Sequence, residues 1–288
     1  MSEWENIAIV PLFADALPSG VYSYGDISVR VHTRRKKVQD GLFCDDIWPG
    51  AILMSDYLVM NKYLVEDKYV LELGAGAALP SLVGLHLHSR FSTITDYPGD
   101  DVISNIYSLL IENELYNPTT ENNNVAVLPY IWGEDVTPLL KLIPNMSPTE
   151  MIIKNNHTSK TIIPNDEIKK YDVILLAELL WKDTYTLHRS LLSSILLSLS
   201  LSGIALLSYA SRTTPDHTIE REREFFTLAK EQGLNCRLVE RREMDEVCGE
   251  RGDRENDFER VEVMLYSLSW KREEDIENKT EERERKQE

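Results

Sequence analysis

Lys68-Tyr69-Val70-Leu71-Glu72-Leu73-Gly74-Ala75-Gly76-Ala77-Ala78-Leu79-Pro80-Ser81-Leu82 is the stretch from which the fold can be read. Residues 68–73 are a nearly continuous apolar run, the pattern of a strand covered on both faces. Gly74 and Gly76 follow at once, and glycine permits backbone conformations and close approaches that a Cβ would block. Residues 79–88 then read as a helix. A strand that turns sharply into a helix is the opening of a βαβ unit.

The same alternation continues in both directions. Downstream, residues 91–95 form a second strand ending at Asp96, and residues 101–113 a second helix. Residues 125–131 are a third strand, stopped by Trp132-Gly133, and residues 135–142 look helical. Residues 145–166 are polar, Pro-bearing and aperiodic, which marks an inserted loop. A fourth strand at 172–177, a helix from about 185, a fifth strand at 204–209 and a charged helix at 220–231 come next. Residues 236–241 and 259–270 pair as antiparallel edge strands. Upstream, Ile47-Trp48-Pro49-Gly50 leads into a helix over 51–63, and residues 21–24 and 27–32 flank a Gly25-Asp26 turn as a hairpin. This order predicts an α/β fold: a doubly wound, mostly parallel sheet with helices on both faces, an antiparallel edge strand and an N-terminal β-hairpin extension. The organisation expected is an extension over 1–47, a main domain over 48–270 and a charged, frayed tail over 271–288.

Composition narrows the class of protein. The 288 residues are 42% apolar and 27% charged, which is globular rather than disordered. With 31 basic and 48 acidic residues the net charge is −17, the wrong sign for a protein that grips nucleic acid phosphates. The tail contributes little to the excess, because residues 271–288 hold six basic and eight acidic groups. An acidic body suits a basic partner, although many acidic proteins gain only solubility from their charge. Cys44, Cys236 and Cys248 are far apart, with no C-x-x-C pair, so neither a disulfide framework nor a zinc site is expected. Residues 191–210 are uncharged, but they hold six serines and break at Ser202-Gly203, so they read as a helix end, a turn and a buried strand. The start, Met1-Ser2-Glu3-Trp4-Glu5, lacks the pattern of a secretory signal, and a cytoplasmic monomer is expected.

Ligands of such sheets bind beyond the carboxyl ends of the strands, where strand order reverses. Asp96 ends the second strand about twenty residues after the glycines, where a carboxylate can accept both ribose hydroxyls. A dinucleotide fingerprint would want a small residue at Leu79, and Glu72 would repel a pyrophosphate. An acid there could instead attract a ligand carrying an ammonium and a sulfonium. These features favour S-adenosylmethionine over NAD.

V-L-E-L-G-A-G-A-A-L-P-S-L at 70–82, T-D-Y-P at 95–98 and I-W-G at 131–133 resemble the class I seven-strand, Rossmann-like methyltransferases. More narrowly, residues 45–270 resemble methyltransferase family 16, and within it the nicotinamide-N-methyltransferase-like fungal branch that includes the enzyme methylating the N-terminus and a nearby lysine of elongation factor 1-alpha. The resemblance implies seven strands and S-adenosylmethionine as cofactor. It implies that Trp48 borders the cofactor pocket, that Gly74, Ala75 and Gly76 lie against the methionine and ribose parts, and that Asp96 takes the ribose hydroxyls. Trp132 would pack on the adenine edge and Ala177 would line the pocket at the end of the fourth strand. An indole is a good surface on which to bury a flat heterocycle, although simple packing would also account for Trp48 and Trp132.

Many family members carry D-x-x-Y or D-x-x-F after the fourth strand, beside the target amine. Here the matching stretch is Glu178-Leu179-Leu180-Trp181, with both members substituted. The resemblance makes Glu178 and Trp181 the candidate catalytic pair: the acid to orient an ammonium, the indole to face a cation. The alternative is that Glu178 caps the following helix and Trp181 packs. Methyl transfer from a sulfonium needs no metal and no covalent intermediate, so positioning and desolvation must supply the acceleration. The function implied is methylation of a lysine or N-terminal amine of a protein, plausibly elongation factor 1-alpha. The alternatives are a small-molecule N-methyltransferase acting on a nicotinamide-like acceptor, and a cofactor-binding module without turnover.

Overall fold

A computed structural model describes residues 9–10, 20–31, 47–144, 169–211, 218–245 and 260–271. The expected inserted loop at 145–166 and the tail after Lys271 lie outside the described residues, as do Cys44 and Cys248. Seven strands form the central sheet: β4 (Tyr69–Leu73), β5 (Phe91–Asp96), β6 (Val125–Pro129), β7 (Tyr171–Ala177), β8 (Leu199–Ser211), β9 (Leu234–Asp245) and β10 (Arg260–Trp270). Their order is β6-β5-β4-β7-β8-β10-β9, and only β10 runs against the others. The antiparallel finish expected from the sequence is therefore present, with its antiparallel strand β10 one place inside and β9 on the edge. That edge carries Arg237, Glu240, Arg241 and Glu243, charges that discourage pairing with a further strand.

Both faces of the sheet are covered. Side chains alternate along each strand, so Val70, Val173 and Leu175 enter one core with α1 (Pro49–Met60), α2 (Leu79–His86) and α3 (Asp100–Glu112). Leu71, Leu73, Ile174 and Leu176 enter the other, with α4 (Thr137–Leu140), α5 (His188–Ser198) and α6 (Thr218–Glu231). This is why the strands read as unbroken apolar runs. No helix among the described residues is long and apolar enough to cross a membrane.

The hairpin is β2 (Gly20–Tyr24) and β3 (Ile27–Val31), with β1 (Ile9–Val10) beside β2. Its inward residues Tyr22, Tyr24, Val29 and Val31 join the first core. The Asn113 side chain accepts the Arg30 N–H at 2.7 Å and donates to the Arg30 carbonyl at 2.8 Å, filling both backbone positions as a neighbouring strand would. On α1, Asp56 is buried and pairs with Arg242 of β9. Burial pushes its carboxyl up to about 6, while Arg242 opposes the shift.

Two local readings change. The helix expected over 135–142 shrinks to the four residues of α4. Asp135 accepts the Thr137 N–H at 2.9 Å and its hydroxyl at 2.7 Å, which holds a turn ahead of the helix, and Pro144 follows it. The helix expected from 185 begins as a 3₁₀ turn, Lys182–Leu187, and becomes α-helical only at His188. At the far end of the sheet, Lys169 Nζ donates to the Pro144 carbonyl at 2.9 Å. The Tyr69 hydroxyl donates to the same oxygen at 3.4 Å, so residues 144 and 169 meet at the start of β4.

Candidate active site

At the carboxyl ends of β4, β5 and β7 lies a cavity of about 260 Å³. Strand order reverses here, because β4 leads to β5 on one side and β7 on the other. Its walls include Trp48, Gly74, Ala75, Gly76, Asp96, Trp132, Ala177, Glu178 and Trp181. Nine of the ten residues singled out from the sequence thus meet at one site, although Trp48 and Trp181 are 133 positions apart.

Glu72 is the exception, and it corrects an expectation. Its side chain is 1% exposed and is not part of the cavity wall. Strand alternation turns it toward α2, where its Oε2 accepts the Ser81 N–H at 3.1 Å in the first turn of that helix. Burial pushes its carboxyl up to about 8, and Asp96 adds to the shift. It is a buried acid that caps a helix and faces away from the cavity, so it is not placed to attract a cation there.

The glycine loop works through conformation. Gly74 and Gly76 have φ of +63° and +53°, and Ala78 adopts +56° at the N-cap of α2. A Cβ on Gly74 would lie 2.7 Å from Leu179 Cδ2 and 3.2 Å from Trp132 Cζ2, so only glycine lets those two side chains close on the loop. The Leu79 that breaks the dinucleotide pattern is preceded by an alanine in the left-handed conformation. Such a residue costs of order 1 kcal/mol, a strain concentrated at functional sites. Asp96 locks the loop to the next strand: its Oδ2 accepts the Gly76 N–H at 2.7 Å and its Oδ1 the Tyr97 N–H at 2.6 Å.

Glu178 is half-buried with φ of +58°. Its Oε1 accepts the Gly50 N–H at 2.8 Å, and both carboxyl oxygens lie 3.2 Å from the Ala210 N–H. It does cap a helix, but the helix is α1, far back in the chain, rather than the one that follows. The α1 N-cap is Trp48, so the acid expected beside the substrate also fixes the cavity wall opposite. Trp181 is held by its backbone: Thr184 Oγ1 accepts the Trp181 N–H at 3.1 Å and donates to the Leu179 carbonyl at 2.7 Å.

Sequence reasoning missed several wall residues: Tyr97, Tyr130, Ile131, Leu179, Thr184 and Leu187. All lie within six positions of a residue it did select, in the segments that follow β5, β6 and β7. Tyr97, Ile131 and Leu187 are 53%, 37% and 45% exposed, so the cavity mouth is rimmed by uncovered apolar side chains. Glu134 and Asp135 are exposed directly after that rim.

The donor set fits S-adenosylmethionine. Three indoles offer flat surfaces for adenine and for a cation, Asp96 places a carboxylate at a strand end, and the left-handed loop keeps a Cβ out of the cradle.

No protein-family model matches the chain. A protein N-terminal and lysine N-methyltransferase EFM7 from Eremothecium gossypii is 32% identical over 196 residues, covering 67% of this chain and 64% of that protein. The chain thus spans just under two thirds of that relative's length. A protein of the same name from Gibberella zeae is 27% identical over 226 residues, 78% of each chain. Among solved structures, a precorrin-6y C5,15-methyltransferase from Geobacter metallireducens superposes with a TM-score of 0.48 at 13% identity, over 84% of this chain and 93% of that one. So loose a superposition carries no argument.

Proposed function

We propose that this chain, which is similar to the protein N-terminal and lysine N-methyltransferases EFM7, methylates a lysine or N-terminal amine of a protein, with elongation factor 1-alpha as the candidate substrate. The observation that carries this reading is the cavity at the strand-order reversal, where the glycine loop, Asp96 and three indoles meet beneath an exposed apolar rim. Uncovered apolar side chains around a pocket mark a surface for a large partner, whereas a small acceptor would be enclosed. The reading assigns transfer to residues 48–270 in a cytoplasmic monomer.

S-adenosylmethionine, when bound, supplies an electrophilic methyl group on a sulfonium. Asp96, which ties the loop through the Gly76 N–H, would accept the ribose hydroxyls. Trp132 and Trp48, both on the cavity wall, would hold the nucleoside and exclude water. Trp181 offers an indole face to the incoming amine and favours its passage out of solvent. Glu178 holds the N-terminus of α1 against the end of β8, which fixes the distance between the two walls. A desolvated amine loses its proton more readily, because burial disfavours the charged form. Alignment and dryness then account for the acceleration.

The test is incubation of the full chain with cell extract and isotopically labelled cofactor. A labelled protein band at the mass of elongation factor 1-alpha is expected. Label only in small molecules overturns the protein-substrate reading in favour of a nicotinamide-like acceptor, and no label anywhere overturns turnover.

A further inference from the structure

Behind the cavity wall, α5 reaches across to the turn that carries Trp132. Ser194 on that helix is fully buried and is not part of the cavity wall. Its Oγ accepts the Gly133 N–H at 2.8 Å and donates to the Ser190 carbonyl at 3.1 Å. It also lies 2.9 Å from the Tyr130 Oη, which donates to the Glu134 carbonyl at 3.0 Å. The turn is closed on itself as well, because the Glu134 N–H donates to the Ile131 carbonyl at 3.1 Å. The segment 130–134 is therefore tied at its start, its middle and its end, and Trp132 sits between the ties.

The close approach is built into the sequence. Gly133 has φ of +89°, and a Cβ there would lie 2.9 Å from Ser190 Cβ. Small residues at 190 and 194, one helical turn apart, let the backbone of the turn touch the helix. On the other side, Trp132 packs against Gly74 of the glycine loop. One chain of contacts thus runs from a buried serine, through a peptide N–H, to an indole and the cradle.

We infer that Ser194 is a positioning residue for the cofactor: together with Tyr130 it sets the placement of Trp132 and so the width of the nucleoside pocket. This deepens the proposed function and rests on it. Ser194 touches neither cofactor nor substrate. It acts by fixing the Gly133 peptide, so the indole is pre-arranged before the ligand arrives, and ligand binding spends less on ordering that wall.

The test uses the full-length chain, S-adenosylmethionine and calorimetry, with Ser198→Ala as control. Ser198 lies one turn further along α5 and is equally buried, yet its Oγ makes no hydrogen bond among the described residues. Ser194→Ala should weaken cofactor affinity roughly three- to tenfold, the range for losing one buried hydrogen bond. Ser198→Ala should leave affinity within twofold. Iodide quenching of the ligand-free protein, with the Trp132 contribution taken as the difference from Trp132→Phe, should rise in Ser194→Ala and not in the control. Tyr130→Phe combined with Ser194→Ala should cost less than the sum of the single changes, since both hold one turn. A folded Ser194→Ala protein that binds and quenches like the parent overturns the inference, as does equal weakening by Ser198→Ala. If Ser194→Ala does not fold, unchanged affinity in Tyr130→Phe overturns it instead. A parent protein that does not bind S-adenosylmethionine overturns the proposed function, and this inference with it.

Discussion

Glu72 and Glu178 flank the glycine loop, and each holds the N-terminus of a helix. Glu72 takes the Ser81 N–H nine positions along the chain, is sealed from solvent and faces the back of the cradle. Glu178 takes the Gly50 N–H 128 positions away, adds the Ala210 N–H, and lines the cavity. In both cases a carboxyl oxygen accepts a first-turn N–H that the helix itself leaves without a partner. The difference lies in reach. The first closes one strand-helix unit and matters for folding of that unit. The second joins the ends of α1, β7 and β8, so whatever disturbs it is felt at the walls of the site.

The sharpest way to break this contrast is to remove each acid in turn. Glu178→Ala leaves two peptide N–H groups without their acceptor and should cost about 3–5 kcal/mol in denaturant unfolding, with weaker cofactor binding. Equal or greater loss of affinity in Glu72→Ala would erase the distinction. Asp96 sets the scale for a side chain assigned to the ligand itself: Asp96→Ala should weaken cofactor affinity by about 1–3 kcal/mol, and unchanged affinity in the folded variant would refute its ribose role. For Glu72 the signature is pH. Its folded-state pKa of about 8 exceeds the ordinary 4.5, so the folded protein keeps a proton that the unfolded chain has released. Stability should therefore fall as pH rises between those values, at most by about 1.4 kcal/mol per unit, and Glu72→Gln should flatten the curve. The smallest effect belongs to Glu178→Gln. Its amide oxygen can replace the Oε1 that serves Gly50 and Ala210, so unfolding should shift by under about 1 kcal/mol. A much larger change in turnover than in stability or cofactor affinity would show Glu178 contacting the amine rather than positioning α1.

What was legible in the sequence follows the range of the interaction. The strand-helix alternation, the hairpin and the loop at Gly74 rest on neighbours a few positions apart, and they appear in the structure with small shifts at their ends. Asp96 was readable because it ends a strand, and Trp132 through the family resemblance, since β6 itself stops at Pro129. Glu178 was readable as an acid near the site, but its partner Gly50 comes from another helix, and no local pattern connects them. Glu72 was misjudged because strand period alone does not say which core a face meets. Ser194 gave no signal, since one serine among several in a Leu-rich helix looks like any other. Ala78 also hid its role, for alanine gives no warning of a positive φ.

One more consequence comes from the opposite end of the sheet. Pro144 and Lys169 are joined by a hydrogen bond at the start of β4, while the cavity opens at the other ends of the strands. The two ends of the connection between them therefore meet, and the entropy of closing a connection grows only with the logarithm of its length. Changing the number of residues between positions 144 and 169 should therefore alter the closure entropy of that connection only slightly, because its two attachment points already meet.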